Sequence, residues 1–272
     1  MCKVLKVARS SYYKYINKKL SNRELENEKI KKEILKIYQN SKKRYGAPKI
    51  NASLKSLGIN ISLKRTQRLM NKLGIKSIVT KKFRPYSNKV NIVERENLLK
   101  RNFQTSTINE KWVTDITYIY TIKDGWCYLA SVMDLHSKKI VGYSMSKTID
   151  TKLALQALKN AIDIQKPIKS LILHSDLGCQ YTSSAFMEYV KSNKFISHSF
   201  SGKGCPYDNA GIESFHASLK KEEVNINRYL DFNVARLAIF EYIETWYNRN
   251  RIHSSIGYIT PQHCENLAKQ IS

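Results

Sequence analysis

Asp115 in "WVTDITYIY", Asp176 in "LHSDLG" and Glu213 in "DNAGIESFHASLKKE" are the acids of this sequence best placed to do chemistry. Asp115 interrupts a strand-like run of aromatic and apolar residues. An unpaired carboxylate there costs several kcal/mol, so it needs a cation or a tight hydrogen-bond partner. Asp176 follows the apolar run Leu171-Ile172-Leu173, at the strand end from which α/β proteins commonly present site residues. Glu213 opens a helical pattern after a Gly, Pro, Asp and Asn turn cluster, and Lys220 lies two turns further along the same face, ~10 Å along the axis. Carboxylates from two strands and a helix suit a pair of hard divalent cations, which want oxygen ligands and open positions for water and phosphate. Two such ions can activate one oxygen nucleophile and stabilise the departing oxygen of an in-line phosphoryl transfer. The competing reading gives each acid a separate job: a strand hydrogen bond for Asp115, a cap on "SSAF" for Asp176 and a first-turn dipole partner in Glu213. Residue types alone leave both open.

Nearby polar residues receive quieter roles. Asp134 is read as structural, and Asp208 with Asn209 as caps of the Glu213 helix. His174 and His216 flank the acids but are excluded as ligands, because hard cations prefer oxygen. Tyr181, Thr182, Lys203 and Tyr207 are placed along the path by which a phosphate-bearing substrate would reach these acids.

The elements that would position these groups follow from periodicity. "KWVTDITYIYTI" alternates, with Trp112, Thr114, Ile116, Tyr118 and Tyr120 on one face and Val113, Asp115, Thr117 and Ile119 on the other. "WCYLASVMDL" and "KIVGYSMS" complete a three-strand meander. "TKLALQALKNAIDI" reads as a helix with Leu155, Leu158 and Ile162 inward, "SLILHSD" as a buried strand, "SSAFMEYVKSN" as a helix and "FISHSFS" as a fifth strand. Strands first and then alternation predict an α+β or mixed α/β layer.

Upstream the pattern is helical and basic. Ser21–Asn40 carries apolar residues at helical spacing, "KINASLKSLG" ends at Gly58, and Ser62 can cap "LKRTQRLMNKLG", which ends at Gly74. On that last helix Lys64, Arg65, Arg68 and Lys72 share one face, opposite Thr66, Leu69, Met70 and Leu73, which suits the recognition helix of a helix-turn-helix. Residues 79–107 show no period and keep Lys81, Lys82, Arg84 and Lys89, so they read as a basic linker. Residues 1–100 hold 27 Lys/Arg against 6 acids and residues 101–272 hold 20 against 16, so the +25 net charge is concentrated at the start. That asymmetry points to a polyanion-binding region joined to something with another task. No apolar run approaches a membrane span of ~20 residues, and the opening decapeptide is too charged for a signal peptide. The five cysteines form no CxxC pair, which indicates neither a disulfide frame nor a zinc site. A cytoplasmic, bacterial-type and nucleoid-associated protein is expected.

Taken together, "WVTDITYI", "LHSDLGCQYTS", "KGCPYDNAGIESFHASLKKE" and "WYNRNRIHSSIGYITP" resemble the second-frame (OrfB) transposases of the IS-three insertion sequences. The resemblance covers nearly the whole chain. It implies a ribonuclease H-like DDE integrase core with a five-stranded mixed sheet and flanking helices, behind an all-helical helix-turn-helix region. The expected divisions are a partial helix-turn-helix segment at 1–20, a DNA-binding domain at 21–78, the linker at 79–107, the catalytic core at 108–225 and its helical tail at 226–272. Asp115, Asp176 and Glu213 become the triad holding two magnesium ions, with manganese as a substitute, and Lys220 matches the family's basic residue that contacts element-end DNA. Lys64, Arg65, Arg68, Lys72 and Lys203 are the other expected DNA contacts. The implied activity is binding of terminal inverted repeats, strand cleavage and strand transfer into target DNA, with the two ends first joined on one strand. The implied partners are DNA, further copies of the chain on paired ends, and an upstream DNA-binding reading-frame product, fused or associated, since "MCKVLKV" looks like a start inside a helix-turn-helix. A non-catalytic DNA-binding repressor or inactive remnant is the alternative. One departure stands out: 36 residues separate Asp176 from Glu213, one more than the family usually has. The extra residue falls near "SNKFISHS".

Overall fold

The computed structural model describes residues 2, 4, 7–17, 21–78, 96–100, 102–202 and 206–271. The chain divides into two compact units, Met1–Ile78 and Val79–Ser272.

The first unit is helical: α1 (Arg9–Ile16), α2 (Asn22–Asn40), α3 (Ala47–Ser56) and α4 (Leu63–Lys72). Ser21 and Glu24 form a reciprocal capping box at the start of α2, satisfying two of the backbone donors a helix start leaves unpaired. The sequence reading began α3 at Lys49, but it starts at Ala47 with Pro48 in its first turn, where a missing N–H costs nothing. Ile34, Ile50, Leu54 and Leu69 are buried between the helices. Asn51 ties α3 to the α4 approach, donating to the Ile61 carbonyl at 2.9 Å and to Thr66 Oγ1 at 2.9 Å. The chain leaves α3 and α4 through Gly58 (φ 79°) and Gly74 (φ 65°), left-handed positions that only glycine adopts at no cost.

The second unit carries β1 (Lys111–Thr121), β2 (Gly125–Asp134), β3 (Ile140–Ser146), α5 (Thr151–Gln165), β4 (Leu171–Ser175), α6 (Cys179–Thr182), α7 (Ser184–Ser192), β5 (Ile196–Phe200), α8 (Ala210–Glu222), α9 (Phe232–Glu241) and α10 (Pro261–Ile271). A π-helical stretch, Tyr242–Tyr247, continues α9. The five strands form one sheet in the order β3-β2-β1-β4-β5. The meander is antiparallel, and β4 and β5 add in parallel. This is the mixed sheet of a ribonuclease H-like core.

One sheet face packs on α5 and α7. Trp112, Ala130, Val132, Leu158 and Phe186 belong to that core. The buried face of α5 runs through Leu153, Ala154, Ala157, Leu158 and Ala161. Of the residues expected inward, Leu158 lies within it, while Leu155 and Ile162 are partly buried at its margin against the same core, so the face is centred on the alanines. The cause is β3. A side chain at Gly142 would meet the Ala157 carbonyl oxygen and the Ala161 nitrogen at 2.5 Å, so the helix lays its small residues on a bare backbone. The opposite face receives α8, whose Ile212, Phe215 and Leu219 are buried.

Candidate active site

Asp115 lies on β1 beyond the short pairing with β4, which covers only Lys111, Trp112 and Val113. Its carboxylate accepts the Ile116 N–H at 2.8 Å through Oδ1. Oδ2 lies 3.3 Å from Nδ1 of His216 on α8. The other imidazole nitrogen, Nε2, is 2.8 Å from Ser131 Oγ, and Ser131 is the cross-strand partner of Asp115. A proton on Nδ1 satisfies all three groups: His216 donates to Asp115 and accepts from Ser131. The arrangement fixes the orientation of the carboxylate as a histidine–carboxylate pair does around a metal.

Asp176 follows β4 directly and opens to solvent. Its Oδ1 accepts the Gly178 N–H at 3.0 Å. A side chain at Gly178 would press within 2.9 Å of that same oxygen, so a larger residue there would push the Asp176 carboxylate out of this position. Displacement of water by the surrounding protein, and then the negative charge of Asp115, raise the Asp176 carboxyl to about 6, against the Gly178 hydrogen bond. The two aspartates therefore feel each other. Asp176 does not cap the "SSAF" helix, α7; Ser183 does, accepting from Phe186 N.

Glu213 is exposed on α8, one turn before His216. Residues at this spacing share a helix face, with Cβ atoms ~5–6 Å apart, so Glu213 is on the side of α8 that meets Asp115. Among the described residues, no three His, Cys, Asp or Glu side chains stand close enough together to enclose a metal ion. Lys220 comes two turns later and is half-buried, its Nζ 3.8 Å above the Tyr118 ring. Burial lowers its ammonium below the ordinary lysine value, and the charge of Asp115 opposes that shift.

Several expectations about neighbours change. Asn209 makes no side-chain cap on α8; its amide donates to the Thr114 carbonyl. Asp208 instead accepts from Asn97 and the Gly202 N–H, which ties the loop before α8 to neighbouring chain. Tyr181 is no DNA contact: it is buried against Phe186, with its hydroxyl 3.2 Å from Thr114 Oγ1. Thr182 donates to the Gly178 carbonyl. Asp134 is buried and structural, accepting from Asn109 N, Ser137 N and Ser137 Oγ, and burial raises its carboxyl. His174 is buried between Ser199 and Ser201. Lys203 and the side chain of Tyr207 lie outside the described residues, as do Lys81, Lys82, Arg84 and Lys89. On α4, Lys64, Arg68 and Lys72 are exposed. Arg65 is engaged with Glu26 and Asn27 of α2.

Sequence reasoning missed two polar networks. Ser131 could have been found, since the hairpin turn sets Asp115 opposite it. The other joins α8 to the tail. Glu222, at the end of α8, is buried and accepts from Tyr242 Oη, Trp246 Nε1 and the Arg251 guanidinium at 2.8–3.1 Å. Arg251 also donates to Ser218.

Comparison with known proteins places this geometry. Family models match at residues 106–206 and 194–261 (integrase core domain) and at 24–83 (HTH-like domain). The chain is 37% identical over 269 residues to the transposase InsF for insertion sequence IS3A of Escherichia coli strain K12, covering 98% of this chain and 93% of that protein. It is 36% identical to a 31 kDa protein of insertion element IS600 from Shigella sonnei, covering 96% of each. The catalytic core domain of HTLV-2 integrase, solved with magnesium, aligns with 60% of this chain and 99% of that domain at 21% identity and a TM-score of 0.45. With near-complete coverage at such identity, and an integrase core on the five-stranded sheet described above, the chain belongs to the IS3 family of insertion-sequence transposases.

Proposed function

We propose that this DNA transposase, a polynucleotidyl transferase, cuts and joins DNA at a site where Asp115, Asp176 and Glu213 supply oxygen ligands to two magnesium ions. The pairing of Asp115 with Asp176 carries this reading. Burial first, and then the like charge of Asp115, raise the Asp176 carboxyl, and a divalent cation between the two would turn that repulsion into binding. The donor set fits a hard cation, being all oxygen. Bound ions would neutralise phosphoryl charge and make a water acidic enough to attack.

The protein's own groups do the rest. His216 and the Ile116 N–H hold the Asp115 carboxylate in one orientation, and the Gly178 N–H holds Asp176. Glu213, on the His216 face of α8, is the third donor. Lys220 offers an ammonium to phosphate. In the first step water oxygen bonds to phosphorus and the bond to the 3′-oxygen breaks, leaving a 3′-hydroxyl. In the second, that hydroxyl attacks another phosphodiester and displaces a new 3′-oxygen. The basic first unit would hold the terminal inverted repeats, with further copies of the chain pairing two ends.

The test uses a labelled element end with magnesium, scoring cut and joined product. Asp176→Asn is expected to abolish both while DNA affinity stays unchanged. Joined product from that variant would reject the triad, and binding without any product from wild type would favour a repressor.

A further inference from the structure

We propose that the aromatic groove beside β1 and β2 is a stacking site for unpaired DNA bases. Beyond its short pairing with β4, β1 continues through Tyr118 and Tyr120 with β2 as its sole strand neighbour among the described residues. On that length Tyr118 stands opposite Tyr128, and Tyr120 opposite Trp126, all on one sheet face. Tyr118, Tyr120 and Trp126 remain 46%, 55% and 52% exposed. That is unusual for rings of this size, which normally bury most of their surface. They also hold one another. Trp126 meets Tyr118 edge-on at 5.1 Å and Tyr120 at 5.2 Å, so the platform is ordered before anything binds.

The rings line a groove of ≈ 1070 Å³, at or beyond the upper end of the ~300–1,000 Å³ typical of small-molecule sites. Lys220 and Arg228 also line it, and no acidic side chain does. An apolar peptide would bring no negative charge to those two cations. A nucleic acid strand uses both halves: bases stack on the rings whatever their identity, and phosphates meet the cations. The groove lies on the sheet face opposite the Asp115 side chain, and Lys220 of α8 links the two by reaching the Tyr118 ring. Asp115 precedes Tyr118 by three residues on one strand, ~10 Å at the rise of a strand. Lys220, over the Tyr118 ring, shares α8 with Glu213. If the scissile phosphate sits at the ions that Asp115 would ligate, as proposed above, the stacked bases lie a few nucleotides away along the same strand. The groove then takes bases unpaired at the element end while the cut strand stays in the site.

The chain reports on the groove by itself. Of its three tryptophans, Trp112 is 0% and Trp246 6% exposed, against 52% for Trp126. The experiment titrates the full chain with a twelve-nucleotide oligothymidylate without divalent ions, at one fixed salt concentration. Tryptophan emission and the anisotropy of the labelled oligonucleotide are followed together. Wild type is expected to show saturable quenching that disappears in Trp126→Phe. Tyr120→Ala/Trp126→Ala should bind the oligonucleotide about tenfold more weakly, while a blunt duplex of equal length binds both proteins alike. Oligonucleotide binding without quenching in wild type would overturn the proposal, as would no binding at all or equal quenching by the duplex. Because no metal or catalysis is involved, loss of the metal triad reading would leave this result untouched, and the reverse holds.

Discussion

His174, two positions before Asp176, shows how a single buried group couples the site to pH. It is fully buried between Ser199 and Ser201, and burial lowers its imidazole to about 4, with the charge of Asp208 opposing. The unfolded imidazole titrates near 6.5. The folded chain therefore binds fewer protons between those values, so His174's contribution is fully present above pH 6.5 and is lost as pH falls towards 4. At 1.36 kcal/mol per unit, that contribution is at most ~3 kcal/mol. Asp176 works in the opposite sense: its raised carboxyl destabilises the folded chain as pH rises through about 6. Urea denaturation at stepped pH should separate them, since His174→Gln keeps a side chain that can bond both serines but removes the proton. The gap between wild type and variant is expected to change by up to ~3 kcal/mol between pH 7 and 4; a constant gap would remove His174 from the account. The three acids were legible as residues because each interrupts a pattern: one a strand, one a strand end, one a helix start. What orients Asp115 was only half legible: Ser131 follows from the hairpin register, but His216 reaches it only when α8 lands on the β1–β2 hairpin.

Among the elements, α8 bears the most on the site, because it carries Glu213, His216 and Lys220 on one helix. Its far end is locked by Glu222, which Tyr242, Trp246 and Arg251 surround. Nothing in "SLKKEEVN" marks this glutamate as buried, for it sits in a charged run that reads as solvated surface. Its partner is 29 residues away, and the π-helical stretch Tyr242–Tyr247 intervenes. An extra residue per turn there shifts the side-chain register off the ordinary helical period, which is why periodicity gave the tail's existence but not its contacts. Removing one member of a buried ion pair strands the other. Arg251→Met should therefore cost ~3–5 kcal/mol in chemical denaturation, and adding Glu222→Met to it should recover much of that loss. Purely additive losses in the double variant would mean that the pair is not coupled.

Over the whole molecule, charge and chemistry are divided between the two units. Residues 1–78 hold 21 Lys/Arg against 4 acids, and no metal-binding role is assigned to any of them. This division was readable from composition and helical spacing. The identity of the cations facing solvent was not, because Arg65 falls on the same helical face as its basic neighbours yet reaches back to α2. Its guanidinium bonds Glu26 at 2.8 and 3.1 Å and Asn27 at 2.8 and 3.1 Å. Lys64, Arg68 and Lys72 on α4 remain exposed. Each phosphate contact releases counterions and adds ~0.9 to the slope of log affinity against log salt. Replacing Lys64, Arg68 and Lys72 with alanine in the full chain should flatten that slope for duplex DNA by up to ~2.7. Arg65→Ala should leave the slope nearly unchanged and instead lower the unfolding midpoint of the first unit, because it frees α2 from α4. Anisotropy titrations at stepped salt, beside thermal melts, read both effects. A slope lowered as much by Arg65→Ala as by another single α4 substitution would return Arg65 to the DNA-facing set, and a slope unmoved by the triple variant would take α4 off the DNA.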